Sequence, residues 1–397
     1  MKPNVDLVYI DAGGGHRAAA EALRDVLHRQ GRPWTVRLVN LTQVLDPGAV
    51  FQRWTGMKPE DLYNCRLRRG WTLGMAQELK LLQAGIALAY RPLVKRLQQH
   101  WTATTPDLVV SLIPNFNLAL GQSLSLARPG VPFVTVMTDL ADLPPGFWIE
   151  PRVEQHLVCG TTHARDQALS AGLAPERVSL VSGMLLRPSF YEPGEGSTAS
   201  ARSALGLDPG RPVVAVMYGG HGSSDMLRIA QLLPQHQLLF FTGHNAALAQ
   251  RLRRLPATAP RAVLGFTREM SRHLRLADLF IGKPGPGALS EALHLGLPVI
   301  TFENAWTMPQ ERYNTHWVRE SGTGLVLASM AGLPEAVAQM CLRLDEYRSR
   351  VGRLRNRALF EVPMLLDALL HTSPCALPTL VSERSTLHAC EPMLQQA

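Results

Sequence analysis

The chain has 397 residues, of which 46% are apolar and 18% charged, a balance that excludes a disordered polymer and leaves room for two domains with separate cores. No apolar run approaches the ~20 residues that cross a bilayer, and Met1 leads almost directly into an apolar strand pattern, so a cytoplasmic protein without a secretory leader is expected. The net charge of +8 is concentrated, with nine basic side chains against three acidic ones between residues 51 and 100.

The five cysteines are odd in number, scattered and free of any C-x-x-C pair, which points to a reducing compartment and away from zinc. Strands are expected at 5–10, 35–39, 107–112, 133–137, 155–159 and 178–181, with helices at 17–28, 79–99 and 163–171. Short apolar runs separated by helices imply a parallel sheet covered on both faces. The first turn, Asp11-Ala12-Gly13-Gly14-Gly15-His16, is a glycine loop opening a helix, but it lacks the G-x-G-x-x-G spacing of a dinucleotide fingerprint. An NAD enzyme is therefore not indicated. The basic segment 51–100 also carries Phe51, Trp54, Trp71, Leu79, Leu81, Leu82, Ile86 and Tyr90, so basic and apolar groups alternate as on a surface that rests on anionic lipid. A solvated basic face over an ordinary core is the plain alternative. Nucleic acid is not indicated, since the aromatics form no stacking row in a basic groove.

A Gly- and Ser-rich stretch at 192–198 marks a linker, giving a first domain over 1–190, a linker over 191–200, a second domain over 201–371 and a loosely ordered tail over 372–397. The second half restarts the alternation, with strands expected at 213–218, 238–241, 261–264, 279–281, 299–302 and 325–327. Helical sequence runs from 333 to 370, with a break expected at Pro363. The stretch 281–314 is the densest in chemistry. An apolar strand enters the turn Lys283-Pro284-Gly285-Pro286-Gly287 and then a helix carrying Glu291, so free N–H groups, open glycine backbone and an ammonium converge where a phosphate would sit. Glu291 is placed to accept hydrogen bonds from a ribose diol, and Gln310, Glu311 and Asn314 are placed to hold sugar hydroxyls. An ordinary strand, turn and helix with a surface glutamate is the alternative reading.

Taken together, Gly13-Gly14-Gly15-His16-Arg17-Ala18, Thr138-Asp139-Leu140, Leu186-Arg187-Pro188-Ser189-Phe190, Lys283-Pro284-Gly285-Pro286-Gly287 with Glu291-Ala292, and Gln310-Glu311 with Asn314 resemble the monogalactosyldiacylglycerol synthases. More distantly they are similar to the peptidoglycan-precursor N-acetylglucosaminyltransferase, also of glycosyltransferase family 28. The resemblance covers about residues 5–345 and implies an α/β GT-B fold, two Rossmann-like doubly wound domains facing each other across a cleft. It implies a UDP-sugar in the second domain, an acceptor in the first, inversion at the anomeric carbon, and neither metal nor cofactor. By the same resemblance Glu291 would hold the ribose, Gln310 and Glu311 the sugar, and Gly219 and Gly220 the diphosphate with His221 beside them. Phe266 and Thr267 would frame the uracil, Arg187 would reach the diphosphate, and His16 would be the general base. Lys283, Gly285, Gly287 and Asn314 complete the donor side; Gly14, Gly15, Asp139 and Trp148 belong to the acceptor side. The chain departs from the lipid synthases at the loop Leu143-Pro144-Pro145-Gly146-Phe147-Trp148, at residues 42–100, and at His221, where they have a small residue.

Inverting transfer needs a base for the acceptor hydroxyl, which a histidine of near-neutral pKa supplies, and stabilisation of departing UDP, for which the helix start at 222–225, Lys283 and Arg187 are available. No D-x-D pair is present. Asp139 and Asp142 are expected as helix caps or acceptor contacts, and His163, His244 and His294 as structural. The expected reaction is transfer of a hexose from a UDP-sugar to a lipid, diacylglycerol above all, on the inner face of the cell membrane. A UDP-sugar epimerase of the same architecture and a non-catalytic nucleotide-sugar binding protein remain open.

Overall fold

The computed structural model describes residues 2–11, 14–49, 52–53, 75–194 and 196–371. Gly13, the basic trio Arg66, Arg68 and Arg69, and the expected tail at 372–397 lie outside them. Each expected strand is present within one residue at either end. The first sheet contains β1 (Asn4–Tyr9), β2 (Thr35–Asn40), β3 (Leu108–Ser111), β4 (Phe133–Val136), β5 (His156–Cys159) and β6 (Val178–Leu180). The second contains β7 (Val213–Met217), β8 (Gln237–Phe241), β9 (Arg261–Leu264), β10 (Leu279–Gly282), β11 (Val299–Phe302) and β12 (Gly324–Leu327). Both are six-stranded and parallel, in the orders β2-β1-β3-β4-β5-β6 and β12-β11-β10-β7-β8-β9. The architecture is α/β GT-B. The strand order reverses between β1 and β3 and again between β7 and β10, and loops leaving the carboxyl ends at such points form ligand crevices.

Two helix expectations need correction. The span 79–99 is not one helix but two, Met75–Leu88 and Tyr90–Thr104. Pro92 has no N–H to give the Leu88 carbonyl, and its ring would strike that carbonyl in a continuous helix. Conversely, the run 333–370 does not break at Pro363 but earlier, after the helices Leu333–Leu342 and Leu344–Val351, over 352–357. The chain passes through Pro363 as the helix Ala358–His371, because Pro363 and the neighbouring Val362, Leu365 and Leu366 are buried, and packing outweighs the lost bond. That last helix packs on Val5, Leu7, Ala20 and Leu23, and Arg32 pairs with Asp367 at 2.7 Å. The span 201–371 therefore gives its final helix to the first domain's core. One apolar cluster bridges the sheets, joining Leu140, Leu186 and Phe190 to Met217, Phe280, Leu289 and Tyr313. Phe190 is 1% exposed, and burying a side chain of that size contributes about 1.5–3 kcal/mol to holding the two halves together.

Candidate active site

On the first domain's rim, β1 feeds the helix Gly15–Arg29 through Gly14, whose φ of 83° is left-handed and suits glycine. No side chain caps this helix, so His16 is not its cap. Its Nδ1 lies 2.9 Å from the Thr138 hydroxyl, across the switch point and just beyond β4. Burial pushes the imidazole down to about 4, with a hydrogen bond to the Leu112 backbone opposing. The near-neutral value expected from sequence is thereby corrected: the ring is neutral at pH 7 and free to take a proton, but a weaker base than an exposed histidine.

The next residue, Asp139, accepts the Trp148 indole N–H at 2.9 Å, and Trp148 stands beside His16 with ring centroids 6.0 Å apart. Asp142 caps no helix. Its carboxylate gathers the backbone N–H groups of Gly146, Trp148 and Ile149 at 2.7, 2.6 and 3.4 Å, closing the proline-rich loop on itself. Burial pushes the Asp139 carboxyl up to about 7; the Trp148 bond lowers it, the Glu311 charge raises it and Lys283 lowers it again. Glu311 and Lys283 belong to the other domain, so Asp139 sits where the two rims meet.

On the second rim, Lys283 Nζ donates to Glu311 Oε1 at 2.7 Å, and Gly285 lies beside the pair, where a Cβ would only touch both side chains. Asn314 donates to the Pro284 carbonyl at 2.7 Å, and its own oxygen is buried without a partner. The helix Pro286–His294 starts at Gly285 with no side-chain cap and no acidic residue in its first turn, which leaves its amide dipoles open to an anion. The helix Asp225–Leu232 differs: Asp225 already occupies its first turn, and its N–H bonds the Ser223 hydroxyl. Burial pushes Glu291 up to about 7, with the Arg187 charge opposing from the first domain's side. The loop at Gly219 and Gly220 lies against Lys283 and Gly243. A Cβ at Gly243, where φ is +57°, would fall 2.0 Å from the Gly220 carbonyl oxygen.

The structure thus gathers His16, Thr138, Asp139 and Trp148 on one rim and Lys283, Gly285, Glu291, Glu311 and Asn314 on the other, with Arg187 acting on Glu291 from the first domain's side. Gly287 is exposed in the first turn of its helix, and among the described residues Gln310 bonds the Met308 sulfur alone. His244, expected as structural, stacks on the 59% exposed Phe266, at 4.2 Å and 19°, with His221 at 6.0 Å from it, and Thr267 follows in the same loop. His163 stacks on Tyr313 across the domains, at 4.2 Å and 10°.

The family model described as Monogalactosyldiacylglycerol (MGDG) synthase matches residues 16–183, and that of the Glycosyltransferase family 28 C-terminal domain matches residues 214–358. The "Probable monogalactosyldiacylglycerol synthase 2, chloroplastic" of Oryza sativa subsp. japonica is 30% identical over 347 residues, covering 81% of this chain and 70% of that protein. The corresponding probable synthase of Glycine max is 29% identical over 359 residues, 85% of this chain; the chain spans 65% of that relative's length. Among solved structures, MurG of Acinetobacter baumannii aligns with a TM-score of 0.59 at 13% identity over 92% of this chain and 99% of that one. A UDP-GlcNAc 2-epimerase from Neisseria meningitidis aligns at 0.57 and 13%, over 92% and 100%. Such likeness shows the fold alone and does not separate the transferase from the epimerase; the sequence relationship does. The chain belongs to the monogalactosyldiacylglycerol synthase family of glycosyltransferases.

Proposed function

We propose that the chain transfers a hexose, with inversion, from a UDP-sugar to the hydroxyl of a membrane lipid, diacylglycerol being the acceptor its relatives' names suggest. The observation that carries this reading is the pairing of rims across one cleft: a neutral, tethered imidazole at His16 faces a donor-type crevice built from an uncapped helix start, Lys283, Glu291 and Arg187. The acceptor oxygen attacks the anomeric carbon while His16 takes its proton, and the bond from that carbon to the diphosphate oxygen breaks, its electron pair leaving with UDP. The bound diphosphate would also raise the basicity of His16 by proximity of charge. Departing UDP is stabilised by Arg187, Lys283 and the amide groups at the start of the helix Pro286–His294, positioned before the reaction begins.

A lipid acceptor is favoured by the surface next to this cleft. On the helix Met75–Leu88, Leu81, Leu82 and Leu88 are 71%, 49% and 90% exposed, and Lys80, Arg91, Lys95 and Arg96 are exposed around them. A cavity of about 1400 Å³ is lined both by apolar residues, Ile86, Leu118 and Phe133 among them, and by polar or charged ones, Gln83, Asn115, Glu150 and Arg152 among them, a mixed lining that an amphipathic acceptor would match. Among the described residues no helix is long and apolar enough to cross a membrane; the enzyme would work from the surface. Release of UDP from a panel of UDP-sugars, with and without diacylglycerol vesicles, tests this. Release that depends on the vesicles is expected; equal release without them removes the lipid acceptor.

A further inference from the structure

Two consecutive residues beyond β4 hold one imidazole by different routes. Thr138 engages His16 Nδ1 directly. Asp139 holds the Trp148 indole, which stands against the His16 ring with its plane tilted by 54°. Trp148 is fixed along its backbone as well: its N–H reaches Asp142 Oδ1 at 2.6 Å, and its carbonyl accepts Asn117 Nδ2 at 2.9 Å. Asn117 in turn accepts the Ser111 hydroxyl at 2.7 Å. A tryptophan that is 1% exposed, held by its indole N–H and at two points of its backbone, is a rigid wall rather than a mobile lid.

We propose that Trp148, anchored through its indole N–H by Asp139, is the positioning residue for His16, fixing the plane of the imidazole and keeping water from one of its faces. The proposal rests on the reading of His16 as proton acceptor. Thr138 and the Leu112 backbone engage the imidazole by hydrogen bonds, and a wall beside the ring limits the tilt those bonds still allow before substrate arrives. Excluding water also disfavours the imidazolium, the direction in which His16 is pushed. The anchor is not remote from the donor side, because the Asp139 carboxyl feels the charges of Glu311 and Lys283. The wall for the base and the pocket for the sugar therefore share one boundary.

The experiment is an NMR titration of His16 in the full chain with labelled histidine, the resonance being assigned by its loss in His16→Gln, together with kcat and KM for sugar transfer. Trp148→Ala removes the wall and Asp139→Leu removes the anchor. Each is expected to move the imidazole upward by roughly one to two pH units and to lower kcat by on the order of 10-fold, with the donor KM within about two-fold. Asp139→Asn keeps an oxygen for the indole and is expected to leave the His16 titration in place. Trp148→Phe keeps the bulk but not the N–H; it should shift the imidazole part of the way, and it carries the test should the alanine variant not fold. An imidazole that titrates alike in the wild type and both Trp148 variants overturns the proposal, whatever happens to turnover. A titration that moves as expected in a chain that transfers no sugar to lipid upholds the positioning and overturns the proposed function instead.

Discussion

Replacing one carboxylate oxygen at Asp139 by nitrogen should make the protein more stable, but only on the alkaline side. Asp139 is 7% exposed, and burial first, then the charges of Glu311 and Asp142, push its carboxyl from 3.8 to about 7 against the opposing pull of Trp148 and Lys283. A group whose folded pKa lies above its unfolded value keeps its proton longer in the folded chain, so stability falls as pH rises from about 4 to about 7, and the full cost stands above that. At about 1.4 kcal/mol per pH unit, the gap places that cost at ~4 kcal/mol. Asp139→Asn abolishes the charge and retains the acceptor for Trp148. Its stability relative to wild type should be near zero at about pH 4 and rise to roughly 2–4 kcal/mol by about pH 8. Urea denaturation followed by tryptophan fluorescence reads the difference, with separate transitions fitted because two domains need not unfold as one. His16, Glu291 and His156 titrate in the same range in both proteins and cancel. A difference that stays constant across the pH range would refute the reasoning.

Four further outcomes follow from the same geometry. His16→Ala should leave UDP binding within a few-fold of wild type while lowering turnover by roughly 10²–10⁴, as steady-state kinetics and calorimetry will show; near-normal turnover removes His16 from the mechanism. Glu291→Ala should weaken UDP binding by about 1.5–3 kcal/mol by calorimetry, and an unchanged affinity would make the start of its helix merely structural. His156, pushed down to about 4 by burial, binds a proton more readily when unfolded, so its contribution is present above about pH 6.5 and lost as pH falls toward 4. His156→Asn should flatten that acid limb, and an unchanged limb would show that the ring is solvated. Changing Arg66, Arg68 and Arg69 together to Gln should weaken sedimentation with anionic vesicles, most at low salt, without weakening UDP binding; equal sedimentation would make the cluster a solvated face.

The strands were legible because each is a short apolar run bounded by turn residues, and burial on both faces of a parallel sheet requires that pattern. The helix errors have opposite physical causes. Pro92 acted through a local steric rule that the sequence states, whereas Pro363 was overruled by burial that only the fold creates. In the site, the glycine turns, Lys283 and Glu291 stood out because the helix starts they serve are local in sequence. The pairings were not legible. His16 meets Thr138 across 122 positions and Lys283 meets Glu311 across 28, distances set by strand order rather than by spacing. The lowered basicity of His16 was hidden for the same reason, since Thr138 and Trp148, which stand beside the ring, lie far from it in sequence.

The most direct test of sugar transfer to lipid is to incubate the full chain with an α-linked UDP-hexose labelled in the sugar and with diacylglycerol vesicles, then extract the lipid and determine the anomeric configuration of any labelled product. Label in the lipid fraction as a β-linked hexoside is the predicted result. Label that remains in the aqueous phase as free sugar or as an epimerised nucleotide sugar would contradict it.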